Sequence, residues 1–171
     1  MGRSFKLRGF TLLELMVVVA IAAVLLAIGL PSFQNTLRSN RLATTSNQFT
    51  AAIAMARSEA IKSTLAAGMC PSANGTACGN DWNAGWLVWS DPNRNGVLDA
   101  GETVISYFAN SGAISVTVGV KPLRFDARGV PSTAAGAMVL ASNPCPAGQQ
   151  LRNTITMTST GQVRSQKGNC P

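Results

Sequence analysis

Histidine is absent from the 171 residues, and acids number only seven. Without an imidazole no Ser-His-Asp or Cys-His set can be built, and no two of the acids share an apolar setting suited to acid–base work. No glycine-rich phosphate loop follows a strand-like run. The expectation is a protein that is not an enzyme. Aromatic residues are few, 6% of the chain. Three of them, Trp82, Trp86 and Trp89, are expected to pack a sheet onto a helix rather than to form a ligand platform.

What is abundant is an apolar run near the start. From Phe10 to Leu30 the only charge is Glu14, so the stretch is long and apolar enough to cross a bilayer as a helix. A carboxylate inside such a span is costly and by default functional, with a partner that neutralises it. The flank before it, MGRSFKLRG, carries Arg3, Lys6 and Arg8 and no acid, which predicts a cytoplasmic leader and an exported body. No small-residue cleavage site follows the apolar core, so the segment is expected to be kept. A simple signal anchor with a protonated or snorkelling Glu14 is the alternative.

The residues Gly9, Phe10, Thr11, Leu12, Leu13 and Glu14 resemble the signature of the type IV pilins and pseudopilins. Pro31 falls where many of them carry a helix-kinking proline. The resemblance implies that prepilin peptidase cuts between Gly9 and Phe10 and methylates the new amino terminus. It also implies that Glu14 pairs in assembly with the Phe10 ammonium of a neighbouring subunit.

Beyond Pro31, Leu42, Phe49, Ile53, Ala56 and Ala60 recur at helical spacing, predicting an amphipathic helix to about Ser63. If continuous from the start, the helix is roughly 80 Å long at 1.5 Å per residue. Strand-like runs follow at 85–90, 103–109, 113–120, 123–127, 137–142, 154–159 and 161–165. The expected fold is α+β: a long N-terminal helix, kinked near Gly29–Pro31 with its apolar half projecting, packed on an antiparallel β domain. The expected segments are a cleaved leader (1–9), a transmembrane or filament-core helix (10–30), an amphipathic helix (31–65) and a β domain (66–171).

Four cysteines, Cys70, Cys78, Cys145 and Cys170, lie in the part expected to be exported. An even number there reads as disulfides. Pairing neighbours in sequence gives Cys70–Cys78 and Cys145–Cys170, one of three connectivities. A four-thiolate zinc site is the competitor, without any CxxC to favour it.

Residues 91–102, DPNRNGVLDAGE, place Asp91, Asn93, Asn95, Asp99 and Glu102 at the oxygen-ligand positions of a calcium loop, with Gly96 at its turn. The flanks are strand-like rather than helical, and Asn95-Gly96 is also a hairpin turn signal. Calcium, at the weak extracellular affinity of about 10⁻⁴ to 10⁻³ M, and a ligand-free polar hairpin are therefore both open.

Charge is uneven. Residues 121–171 hold six bases against Asp126 alone, whereas 42–120 hold three against five acids. An anion-binding face or an ordinary solvated one is expected in the last third. The segments 56–62, 85–91, 123–131 and 155–168 resemble, in order, the blocks of the minor pilins and pseudopilins of the GspH/FimT kind. That resemblance implies a pilus-tip subunit that primes or caps assembly beside other pilins at the inner membrane, with a periplasmic C-terminal domain. The alternative is a type II secretion pseudopilin. In the FimT-like group a C-terminal Gly-Arg-x-Arg motif binds DNA in natural transformation; here it stands as Gly161, Gln162, Val163 and Arg164, with its first arginine replaced. Arg128, Arg152, Arg164 and Lys167 are the candidate DNA contacts, and Arg57 on the helix is expected to take no part. Arg164 and Lys167, three apart, point to opposite faces if their segment is a regular strand.

Overall fold

The computed structural model describes residues 10–132 and 136–171. Helix α1 (Leu12–Ser63) runs through Pro31 without a break. At its start the Glu14 amide donates to Thr11 Oγ1 at 3.2 Å, and the Leu15 amide to the Thr11 carbonyl. Thr11 is thus an N-cap and Glu14 the third residue in, a Thr-x-x-Glu spacing that stabilises a helix start. At the other end Thr64 takes a left-handed φ of 58°. The Ser63 hydroxyl there donates to the Glu59 carbonyl and accepts from the Leu65 amide, which together stop the helix.

The described residues fall into two compact units that divide after Leu37. In the second, Leu42, Phe49, Ile53, Ala56 and Ala60 are buried, the stripe that the spacing predicts. It is covered by two four-stranded antiparallel sheets. Strands β1 (Ala66–Pro71), β2 (Gly85–Asp91), β3 (Val104–Ala109) and β5 (Leu123–Phe125) make sheet A, in the order β3-β2-β1-β5. Strands β4 (Ile114–Thr117), β6 (Met138–Ser142), β7 (Arg152–Met157) and β8 (Val163–Gly168) make sheet B, in the order β4-β6-β7-β8. One core joins the helix stripe to Met69, Trp86, Val88 and Phe125 of sheet A and to Ile114, Val116, Leu140 and Ile155 of sheet B.

Strand β1 is not foreshadowed by the sequence pattern. Its residues, AAGMCP, include none of the β-branched or aromatic types that mark strands, yet all six are buried. The small residues have a cause. Trp89 lies opposite Gly68 in the register, and a Cβ on Gly68 would collide with the Trp89 indole. That ring also corrects the expectation for the tryptophans. Trp82 and Trp86 meet Phe49 edge-on, with centroids 5.8 and 5.1 Å away. Trp89 sits on the other face of sheet A, in a small separate cluster with Cys70 and Leu87 beneath Leu98.

Cys70 is bonded to Cys78 and Cys145 to Cys170, with Cα atoms 5.6 and 5.5 Å apart. The second bond closes a separation of 25 residues, and the Cys170 amide also donates to the Gln149 carbonyl at 2.8 Å. By loop-closure entropy, removing this disulfide is worth about 3 kcal/mol. The Cys145→Ser, Cys170→Ser double variant should therefore lose about that much stability in urea titrations. An unchanged midpoint would mean that the backbone bonds alone hold the tail.

Candidate functional surfaces

Three regions hold the residues singled out by the sequence. The first is the apolar start of α1. Phe10 is 81% exposed, Leu15 61% and Leu25 66%, and by length and composition this stretch suffices to cross a membrane. Nothing among the described residues covers these side chains. A lipid or protein environment outside them must do so. Glu14 stands in the first turn, where the helix dipole favours an anion. Gly9, the expected cleavage position, lies outside the described residues.

The second region is the loop of residues 92–103 between β2 and β3. Asp91 is fully buried, and its Oδ2 accepts from the Gly96 amide at 2.9 Å and from Arg124 Nη2 at 3.2 Å. The same Nη2 donates to the Arg94 carbonyl at 2.7 Å, and a Cβ on Gly96 would collide with the guanidinium. Asp99 Oδ2 accepts from the side-chain amides of Asn93 and Asn95, at 2.8 and 2.7 Å. These amide bonds hold the Asp99 carboxyl below the usual carboxylate range. Glu102 Oε2 accepts from the Asp99 amide. Asp91, Asn93, Asn95, Asp99 and Glu102 thus share one hydrogen-bonded loop, in which Asp91 Oδ1 and Glu102 Oε1 are buried without a hydrogen-bond partner. Among the described residues no three potential metal-binding acids or cysteines stand together. The Arg124 guanidinium supplies positive charge beside Asp91 Oδ2.

The third region is the basic last third. Sheet B carries Arg152, Arg164 and Lys167 and no acid. Strand β8 is regular, so Arg164 and Lys167 point to opposite faces. Thr156 pairs with Arg164 and Arg152 with Gly168, which puts Arg152 and Arg164 on the face away from the core. Arg128 is elsewhere, in the turn after β5, where its Nε and Nη2 donate to Asp126 Oδ2 at 3.2 and 3.0 Å. The Val130 amide is the chief cause of a lowered Asp126 pKa, with Arg128 helping. The four candidate DNA contacts therefore do not share one surface.

Arg57, expected to take no part in DNA contact, lies beside this region. Its Nη1 donates to the Gly161 carbonyl at 2.8 Å. Gly161 has φ +79°, and a Cβ there would stand 2.9 Å from the Gly129 carbonyl oxygen and 3.2 Å from the Arg57 guanidinium carbon. Arg57, Gln162 and Arg164 line one depression of about 360 Å³. Sequence spacing could not reveal this, because the partners lie 104 residues apart.

The family described as type II transport protein GspH matches residues 45–161, and the prokaryotic N-terminal methylation motif matches residues 5–30. Prepilin peptidase-dependent protein D of Escherichia coli (strain K12) is 62% identical over 37 residues, 22% of this chain and 25% of that protein. The chain thus spans a quarter of the length of that curated relative. Two crystal structures of the type IV minor pilin FimU of Pseudomonas aeruginosa PAO1 are similar at 18% identity. One has a TM-score of 0.53 over 72% of this chain and 91% of FimU. The other has 0.56 over 74% and 89%. That likeness is one of fold, a long N-terminal helix packed on antiparallel sheets. The GspH match over most of the chain, with the methylation motif at its start, makes this protein a member of the GspH family of minor pilins and pseudopilins.

Proposed function

We propose that the protein is a minor subunit of a type IV pilus that primes or caps assembly. The observation that supports this best is the apolar, uncovered segment from Phe10 to Leu30 with one carboxylate in its first turn. A filament core of such helices would cover these side chains and bring Glu14 to the Phe10 ammonium of a neighbour, removing the cost of a lone charge. On this reading prepilin peptidase cuts after Gly9. The chain is anchored in the inner membrane by one span, and residues 38–171 face the periplasm until incorporation.

Mass spectrometry of sheared filaments should find an N-methylated Phe10 terminus. Retained Met1 in assembled material would overturn the reading. Glu14→Ala should spare membrane insertion but lower incorporation about tenfold or more, since it leaves an ammonium unpaired in an apolar core. Normal incorporation would remove Glu14 from its role. A type II secretion pseudopilin is the second reading, favoured by the description of the matching family. Loss of exoprotein release with intact pili in a deletion strain would establish it over the first.

Weak DNA binding without sequence preference is a further part of the proposal. Its support is the excess of bases after residue 120, three of which lie on sheet B, whose strands carry no acid. Lys and Arg contacts to phosphates release condensed counterions, so affinity should fall steeply with salt.

A further inference from the structure

Arginines without a carboxylate partner are not confined to the residues that the sequence singles out. A depression of about 460 Å³ is lined by Arg94, Arg124 and Arg128, with Asp126 the only acid on its wall. Arg128 is paired to that acid and Arg124 to buried Asp91. Arg94 is exposed and its Nη2 donates to the Thr64 carbonyl at 3.3 Å. Its charge has no carboxylate partner among the described residues.

The turn from Asp126 to Val130 forms one wall of this depression and reaches to the other. Gly129 in that turn abuts Arg57: a Cβ there would stand 2.7 Å from Ile61 and 3.1 Å from the Arg57 side chain. Beyond it lies the smaller depression lined by Arg57 and Arg164. Arg57 has its nearest acid in sequence, Glu59, two positions on, about 200° around the helix and on another face. Five guanidinium groups from helix, loop, turn and strand thus flank one turn, with only two carboxylates among them, both already paired.

We propose that these two depressions, on either side of the Asp126–Val130 turn, form a track for the phosphate backbone of DNA, with Arg57, Arg94 and Arg164 as its cations without a carboxylate partner among the described residues. The inference rests on the DNA-binding reading above but moves the contact from the outer face of sheet B to the side where the end of α1 meets the loops. Guanidinium groups suit this role because they offer several N–H donors in a plane to phosphate oxygens. A paired arginine such as Arg128 keeps donors to spare. Arg152 and Lys167 lie off the track.

The test uses the full chain in non-ionic detergent and a labelled DNA duplex, read by anisotropy across a salt series. Arg94→Gln and Arg57→Gln should each weaken binding several-fold at low salt and flatten the log–log salt slope by about one unit. Arg152→Gln should leave both unchanged. Because Arg57 also holds the Gly161 turn, Arg94→Gln, a change at an exposed side chain, is the deciding variant. Wild-type affinity and slope in Arg94→Gln, with binding lost in Arg152→Gln, would overturn the track while leaving DNA binding in place. No binding by the wild-type chain even at low salt would overturn both.

Discussion

Replacing Arg124 by glutamine is expected to cost about 3 kcal/mol of stability, at the lower end of the range for breaking a buried ion pair. The lower end applies because the Arg124 side chain is a quarter exposed, while Asp91 is fully buried. Glutamine cannot bridge Asp91 Oδ2 and the Arg94 carbonyl as the guanidinium does, so a carboxylate would be left in the interior with the Gly96 amide as its only partner. The measurement is urea unfolding of wild type, Arg124→Gln, Asp91→Asn and the double variant. If the pair is the cause, the double variant should be more stable than the sum of the two single losses predicts. Strict additivity would show that Arg124 acts through packing alone. The same series addresses calcium. In wild type, Arg124 already supplies the cation, and calcium at about 10 mM, above the weak extracellular affinity range, should leave the melting temperature unchanged. A rise would mean that the ion binds the native state and that the loop can rearrange around it.

The parts of this fold that the sequence makes legible are those with a period or a local signature. The stripe from Leu42 to Ala60 needs only helical spacing to be read, and seven of the eight strands announce themselves by β-branched and aromatic runs. Strand β1 does not, because its residues were set by a neighbour: Gly68 makes room for Trp89, and the strand is covered on both faces, so neither alternation nor bulk marks it. The same non-local cause hides Arg57 and Arg124. Each is an ordinary basic residue in sequence, and each acquires a role only from a partner 104 or 33 residues away. The calcium pattern shows the converse. Spacing puts oxygen-bearing residue types into one loop, but it does not foretell that the Asn93 and Asn95 amides donate to Asp99 or that Arg124, 33 residues on, reaches Asp91. Strand parity, by contrast, separates Arg164 from Lys167 as soon as β8 is known to be regular.

Phe49→Ala should be among the most damaging single changes in the core, costing about 4 kcal/mol. Phe49 is fully buried, and its ring stands edge-on to Trp82 at 5.8 Å and to Trp86 at 5.1 Å. Alanine would lose the transfer energy of the ring, leave a cavity between two large indoles that cannot collapse into it, and remove two aromatic contacts worth about 0.5–1.5 kcal/mol each. Phe49→Leu, which keeps most of the volume, should lose about a third as much. Val97→Ala, at an exposed loop position, should change stability by less than about 0.5 kcal/mol. Equal losses for alanine and leucine at position 49 would assign the effect to the edge-on ring geometry rather than to filled volume. Helix α1 carries both this anchor and Glu14, so the two variants separate folding from assembly. Phe49→Ala should lower the unfolding midpoint and, with it, the amount of protein available for filaments. Glu14→Ala should leave the unfolding of residues 38–171 unchanged and still fail to enter filaments. If Glu14→Ala also lowered that midpoint, the carboxylate would be stabilising the folded chain, and its loss from filaments could no longer be assigned to an ion pair between subunits.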